Sequence, residues 1–91
     1  AERAERIGLV SAVYPQEALL DEAKVFLQGI TKNGPIAVRM ALESIYLAQN
    51  SAPTDAANFE SALFGLLAST ADMKEGMTAF LEKRKAAFKG E

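Results

Sequence analysis

Three prolines divide this chain, and the stretches between them repeat with the period of a helix rather than of a strand. Proline lacks a backbone donor and clashes with the preceding helical turn, so Pro15, Pro35 and Pro53 each mark where one element stops or the next begins. From Gln16 to about Thr31, Leu19, Ala23, Phe26, Leu27 and Ile30 share one face and Glu17, Asp21, Glu22 and Lys24 the other, which predicts an amphipathic helix. Lys32-Asn33-Gly34-Pro35 supplies a stop and then a proline at the first position of a second helix, which carries Ile36, Met40, Ala41, Ile45 and Ala48. After Asn50-Ser51-Ala52-Pro53, Thr54 or Asp55 is placed to cap a third helix bearing Phe59, Leu63, Leu66 and Leu67. Ala68-Ser69-Thr70-Ala71 interrupts again. Asp72 then has Glu75 three residues on, a variant of the capping box, and the spacing of Met73, Met77, Phe80, Leu81, Arg84 and Phe88 predicts a fourth helix running nearly to the end.

Upstream, Glu2-Arg3-Ala4-Glu5-Arg6 reads as the stump of a helix, with Gly8 where a left-handed cap would sit, and Leu9 to Tyr14 reads as a short extended segment. The expected fold is therefore all-α, about four helices after a short extended segment. Gly76 interrupts the fourth helix at a cost of about 1 kcal/mol relative to Ala, which implies that something comes close to the backbone there. A helix that begins in mid-pattern at residue 1, with no cap, leads us to expect that the 91 residues belong to something longer.

Composition narrows the chemistry more than the fold. The chain has no His and no Cys, so it offers no imidazole base, no thiol nucleophile, no disulfide and no His- or Cys-based metal site. Hydrophobic residues make up 49%, which argues for a folded chain, yet no apolar run approaches the roughly 20 residues needed to span a bilayer. No signal or transit peptide pattern is visible, and a cytoplasmic location is expected. The isolated glycines form no phosphate loop. Among carboxylates, Glu17 with Asp21 or Glu22, and Asp72 with Glu75, are the closest pairs; all lie in first helical turns, where the macrodipole favours the ionised form, and they read as capping and solubility groups.

The tail carries the strongest chemical signal. Formal charge is only −2, which gives no general pull toward nucleic acid or anionic membranes, but Lys83, Arg84, Lys85 and Lys89 crowd the last nine positions. On a helix at most two of Lys83, Arg84 and Lys85 would meet one phosphate, and Phe80 lies one turn before them, a pairing of ring and cation suited to a nucleotide end group. The same cations would also complement a solvated helix C-terminus. Phe64, at the edge of the third helix's apolar stripe, and the Met73, Met77, Phe80 stripe serve packing equally well.

Taken in order, the pieces resemble a known family. Ile7-Gly8-Leu9-Val10 before Val13-Tyr14-Pro15, Asn33-Gly34-Pro35 followed by Ala37, Glu60 with Phe64, Ser69-Thr70-Ala71-Asp72-Met73-Lys74-Glu75-Gly76-Met77 and Ala79-Phe80-Leu81-Glu82-Lys83-Arg84 resemble the C-terminal third of the enoyl-CoA hydratase (crotonase) family over essentially all 91 residues. The stretch from Asp72 to Lys85 is the specific part. The resemblance implies that residues 1–91 are a C-terminal helical domain, a lid and trimerisation region, with the N-terminal spiral catalytic domain absent. It implies an enzyme that adds water to 2-enoyl-CoA thioesters in fatty-acid or related acyl-CoA metabolism, with the acyl-CoA thioester as substrate and no other cofactor. The two catalytic glutamates would lie upstream, so no catalytic residue is assigned and the chain alone is expected to be inactive.

By the same resemblance Phe64, Phe80 and Lys83 would pack against the adenine and approach the 3′-phosphate of CoA. It further implies homo-oligomers, trimers or hexamers when intact, and exposed apolar helix faces would favour a dimer or helix exchange in the isolated piece. Two other readings remain open at this point: a free-standing helical interaction domain, and another reaction of the family such as double-bond isomerisation. Nucleic-acid binding through four clustered cations would be weak at physiological salt.

Overall fold

Most breaks in the periodic pattern become helix ends in the computed structural model, which describes residues 1–91, although the helix expected from Gln16 starts at Leu19 and leaves Glu17 in the turn before it. The chain forms five helices and no strand: α1 (Glu2–Arg6), α2 (Leu19–Thr31), α3 (Pro35–Ala48), α4 (Pro53–Leu67) and α5 (Ala71–Leu81). The stump is thus a real helix, closed by Gly8 at φ 74° with Leu9 N–H donating to Ala4 O at 2.8 Å and Gly8 N–H to Glu5 O at 3.0 Å. That paired pattern needs a left-handed residue, which glycine supplies without a Cβ clash. The segment read as extended, Leu9 to Tyr14, joins no sheet.

Helix ends are finished mostly by the polar residues between them. Asn33 Nδ2 donates to Ile30 O at 2.9 Å, Asn50 Nδ2 to Tyr46 O at 2.8 Å and Ser51 Oγ to Leu47 O at 2.7 Å, so carbonyls left over at the ends of α2 and α3 are satisfied. Pro35 takes the first position of α3 as expected. The third helix departs from expectation: it begins at Pro53 after Ala52, with no side-chain cap, so neither Thr54 nor Asp55 is its N-cap. Proline at the first position puts the N-cap at Ala52, two residues before Thr54 and three before Asp55, and its missing N–H is no loss there.

Two further corrections concern the last helix. Its N-cap is Thr70, whose hydroxyl accepts Met73 N–H at 3.1 Å, and Asp72 sits inside the first turn, free for another partner. The helix also stops at Leu81 instead of running to the end. Lys83 adopts φ 53°, Lys83 N–H donates to Phe80 O at 3.2 Å and Arg84 N–H to Ala79 O at 3.0 Å, the double closure of a left-handed C-terminal cap. Arg84 and Phe88 therefore leave the helical face on which the spacing placed them.

Beyond that cap the chain turns back along α5. Asp72 Oδ1 accepts Lys89 N–H at 2.7 Å, Oδ2 accepts Gly90 N–H at 2.8 Å, and Asp72 N–H donates to Glu91 O at 3.1 Å. The return lays the Phe88 ring over Gly76, where a Cβ would meet Cε1 at 3.4 Å, and beside Gly34, where a Cβ would meet Cδ1 at 3.7 Å. The neighbour that Gly76 implied is this ring.

The helices do not close into a ball. α3 packs along α4, and α2 meets α3 over a short stretch. The radius of gyration is 16.8 Å against about 12 Å for a compact chain of this length. Accessible surface is 7561 Å² where a compact monomer of this mass would show about 5,200 Å². Leu63 and Ala79 are the only buried apolar residues, while Leu20, Val25, Phe26 and Leu27 of α2 stand in solvent.

Candidate functional site at the α3–α4–α5 junction

Where α3 begins and α4 ends, α5 leaves an open apolar cleft of about 470 Å³. Ile36 and Ala37 form one wall, Phe64 and Leu67 the second, Met73, Gly76, Met77 and Phe80 the third, and the returning Phe88 lies at one end. Helical geometry sets this lining. Met73, Met77 and Phe80 recur at intervals of four and three residues on one face of α5, and Phe64 and Leu67 stand three apart at the end of α4. The polar residues of the lining are Asn33, Thr70 and Asp72, of which Thr70 is engaged with Met73 N–H and Asp72 with the returning tail. A flat apolar or aromatic group is what such a surface accepts.

Two of the three residues singled out in the sequence meet here. Phe64, on α4, and Phe80, on α5, both line the cleft and both remain mostly exposed, at 67% and 83%, so their rings are available to a ligand. Lys83 is not part of the lining; it follows Phe80 by three residues, in the left-handed cap that ends α5. Its ammonium takes part in no ion pair or hydrogen bond, and Glu82, the neighbouring acid, is held instead by Arg84 Nε at 2.6 Å.

Arg84 is withdrawn from the basic cluster by acidic partners. Its guanidinium makes a two-pronged pair with Glu75, 2.6 Å to Oε1 and 2.9 Å to Oε2, and Glu75 Oε1 also accepts Ala87 N–H at 2.8 Å. The Arg84 bonds, then the Ala87 N–H, draw the Glu75 carboxyl from 4.5 down to about 2, and Glu75 and Glu82 push the Arg84 guanidinium still higher than usual. Lys83, Lys85 and Lys89 are left as cations without a side-chain partner. No three acidic side chains gather closely enough to hold a metal ion, and no helix is long and apolar enough to cross a membrane.

A family model described as enoyl-CoA hydratase/isomerase matches residues 1–91. The chain belongs to this family. Over 89 residues it is 43% identical to a mitochondrial enoyl-CoA hydratase from Pongo abelii, covering 98% of this chain and 31% of that protein. It is 44% identical over 88 residues to a crotonyl-CoA hydratase from Syntrophomonas wolfei subsp. wolfei, covering 97% and 34%. Among solved structures, an enoyl-CoA hydratase from Bacillus anthracis superposes with a TM-score of 0.95 at 36% identity, over 100% of this chain and 35% of that one. The chain thus spans about a third of the length of the curated relatives it matches. The all-helical architecture matches the helical region of that structure over the whole of this chain, so the open shape described above is shared with it.

Proposed function

We propose that residues 1–91 are the C-terminal helical domain of an enoyl-CoA hydratase-like protein and that the cleft receives the nucleotide end of its acyl-CoA substrate. The observation that carries this reading is the convergence of Phe64 and Phe80 on one apolar cleft, with the unpaired Lys83 three residues beyond. Two exposed rings offer faces to a purine, and a free ammonium offers a point charge to a phosphate. The relatives named above as enoyl-CoA and crotonyl-CoA hydratases favour hydration of the α,β double bond over isomerisation.

In this division of labour the helical domain supplies binding rather than chemistry. Contacts to a remote, unreacting part of a substrate hold the reactive end in place, and here the glutamates that move protons belong to the rest of the protein. The exposed apolar faces of α2 would be covered in a homo-oligomer, and such an enzyme would work in the cytoplasm. The test is Lys83→Ala in the full-length protein. KM for crotonyl-CoA should rise about fivefold with kcat retained, in line with one lost charge-assisted contact near the surface. An unchanged KM removes Lys83 from the site.

A further inference from the structure

We infer that Arg84–Glu91 is a positioning strap that fixes the width of the cleft and the backbone of Lys83, three residues beyond Phe80, with the Glu75–Arg84 pair as its fastening. The inference rests on the reading of the cleft as the CoA-end site. α5 does not lie along α3 or α4 as those two lie along each other, so what spans from α5 to the start of α3 is the strap. The Phe88 ring sits between Gly76 of α5 and Gly34 ahead of α3, and Gly90 stands against Pro35, where a Cβ would meet Cγ at 3.6 Å. The strap therefore spaces two walls of the cleft and closes one end of it.

Its fastening is also the anchor of Lys83. Arg84, the next residue, is held by two carboxylates, and the Glu75 carboxylate that grips it also grips Ala87 N–H. A two-pronged guanidinium pair fixes a plane as well as a distance. It keeps Lys83 at φ 53°, a conformation that costs a non-glycine residue energy and that a loose tail would relax. Nothing in this arrangement needs contact between Glu75 or Arg84 and the ligand; both act through Lys83 and Phe88.

The experiment uses the full-length protein with two substrates, crotonyl-CoA and the crotonyl thioester of N-acetylcysteamine, which has the same reacting end and no nucleotide. Glu75→Gln removes the charge yet keeps an oxygen for Ala87 N–H, and Arg84→Gln removes the other half. Each should raise KM for crotonyl-CoA about tenfold with kcat retained and leave kcat/KM on the truncated thioester at its wild-type value, and the double variant should cost no more than either alone. Equal losses on both thioesters, or no loss on either, would overturn the strap as a positioning device. Lys83→Ala, measured beside them, separates the two ideas: if it too lacks selectivity for the CoA thioester, the reading of the cleft falls, whereas selectivity in Lys83→Ala alone overturns only the strap.

Discussion

Glu75 accepts three hydrogen bonds from groups 9 and 12 residues further on, and its acidity reports whether they are made. Its folded value of about 2 lies below the ordinary 4.5, so its contribution to holding the tail is complete above about pH 4.5 and is lost as pH falls through 2. In a titration followed by NMR, the Ala87 amide proton should move with a midpoint near 2; a midpoint near 4.5 would mean that the pair does not form in solution. Neither this role nor that of Asp72 was legible beforehand. Two acids three residues apart after a break in the pattern resemble a capping box, and nothing local reveals that their partners come from the tail, in the case of Asp72 from 17 and 18 residues away. Gly76 was legible, because a glycine inside a helix carries a local cost that asks for a neighbour, and Phe88 supplies it.

At the scale of elements, some starts and stops written in backbone chemistry were readable, although Pro53 opens its helix ahead of the expected Thr54 or Asp55 cap, and those that depend on tertiary partners were not. Gly8 and Pro35 act through their own dihedral preferences, and both stand where expected. The end of α5 has no such mark. Arg84 and Phe88 continue the helical spacing, and the chain nevertheless leaves the helix at Lys83 because Glu75, Asp72 and the gap above Gly76 offer the tail better partners than a further turn would. The left-handed Lys83 then yields a stability prediction. Lys83→Gly should stabilise the protein by about 1 kcal/mol in urea denaturation, since glycine removes the Cβ clash, while weakening CoA binding. Lys83→Ala keeps the Cβ and should lose binding with no such gain. Equal stability of the two variants would contradict the left-handed cap.

For the whole molecule the governing fact is surface. A radius of 16.8 Å and twenty large apolar residues in solvent describe an assembly of helices that lacks a common core of its own. Chains with that much unpaired apolar surface associate, so the 91-residue chain should scatter light as a dimer or larger at about 100 μM, and a sharp monomer mass would contradict this. It should also hydrate crotonyl-CoA no faster than buffer. The all-α class and the family were readable from the order of motifs along the chain, but the cleft was not, because Phe64 and Phe80 are brought together by the junction of three helices whose packing no local pattern states. If this junction with its free lysine holds the 3′-phosphate end of CoA, the difference shows in Kd for CoA and for dephospho-CoA, measured with the full-length protein and its Lys83→Ala variant. Removing the phosphate should weaken binding severalfold in the wild type and scarcely at all once Lys83 is gone; an equal loss in both proteins would take Lys83 away from the phosphate.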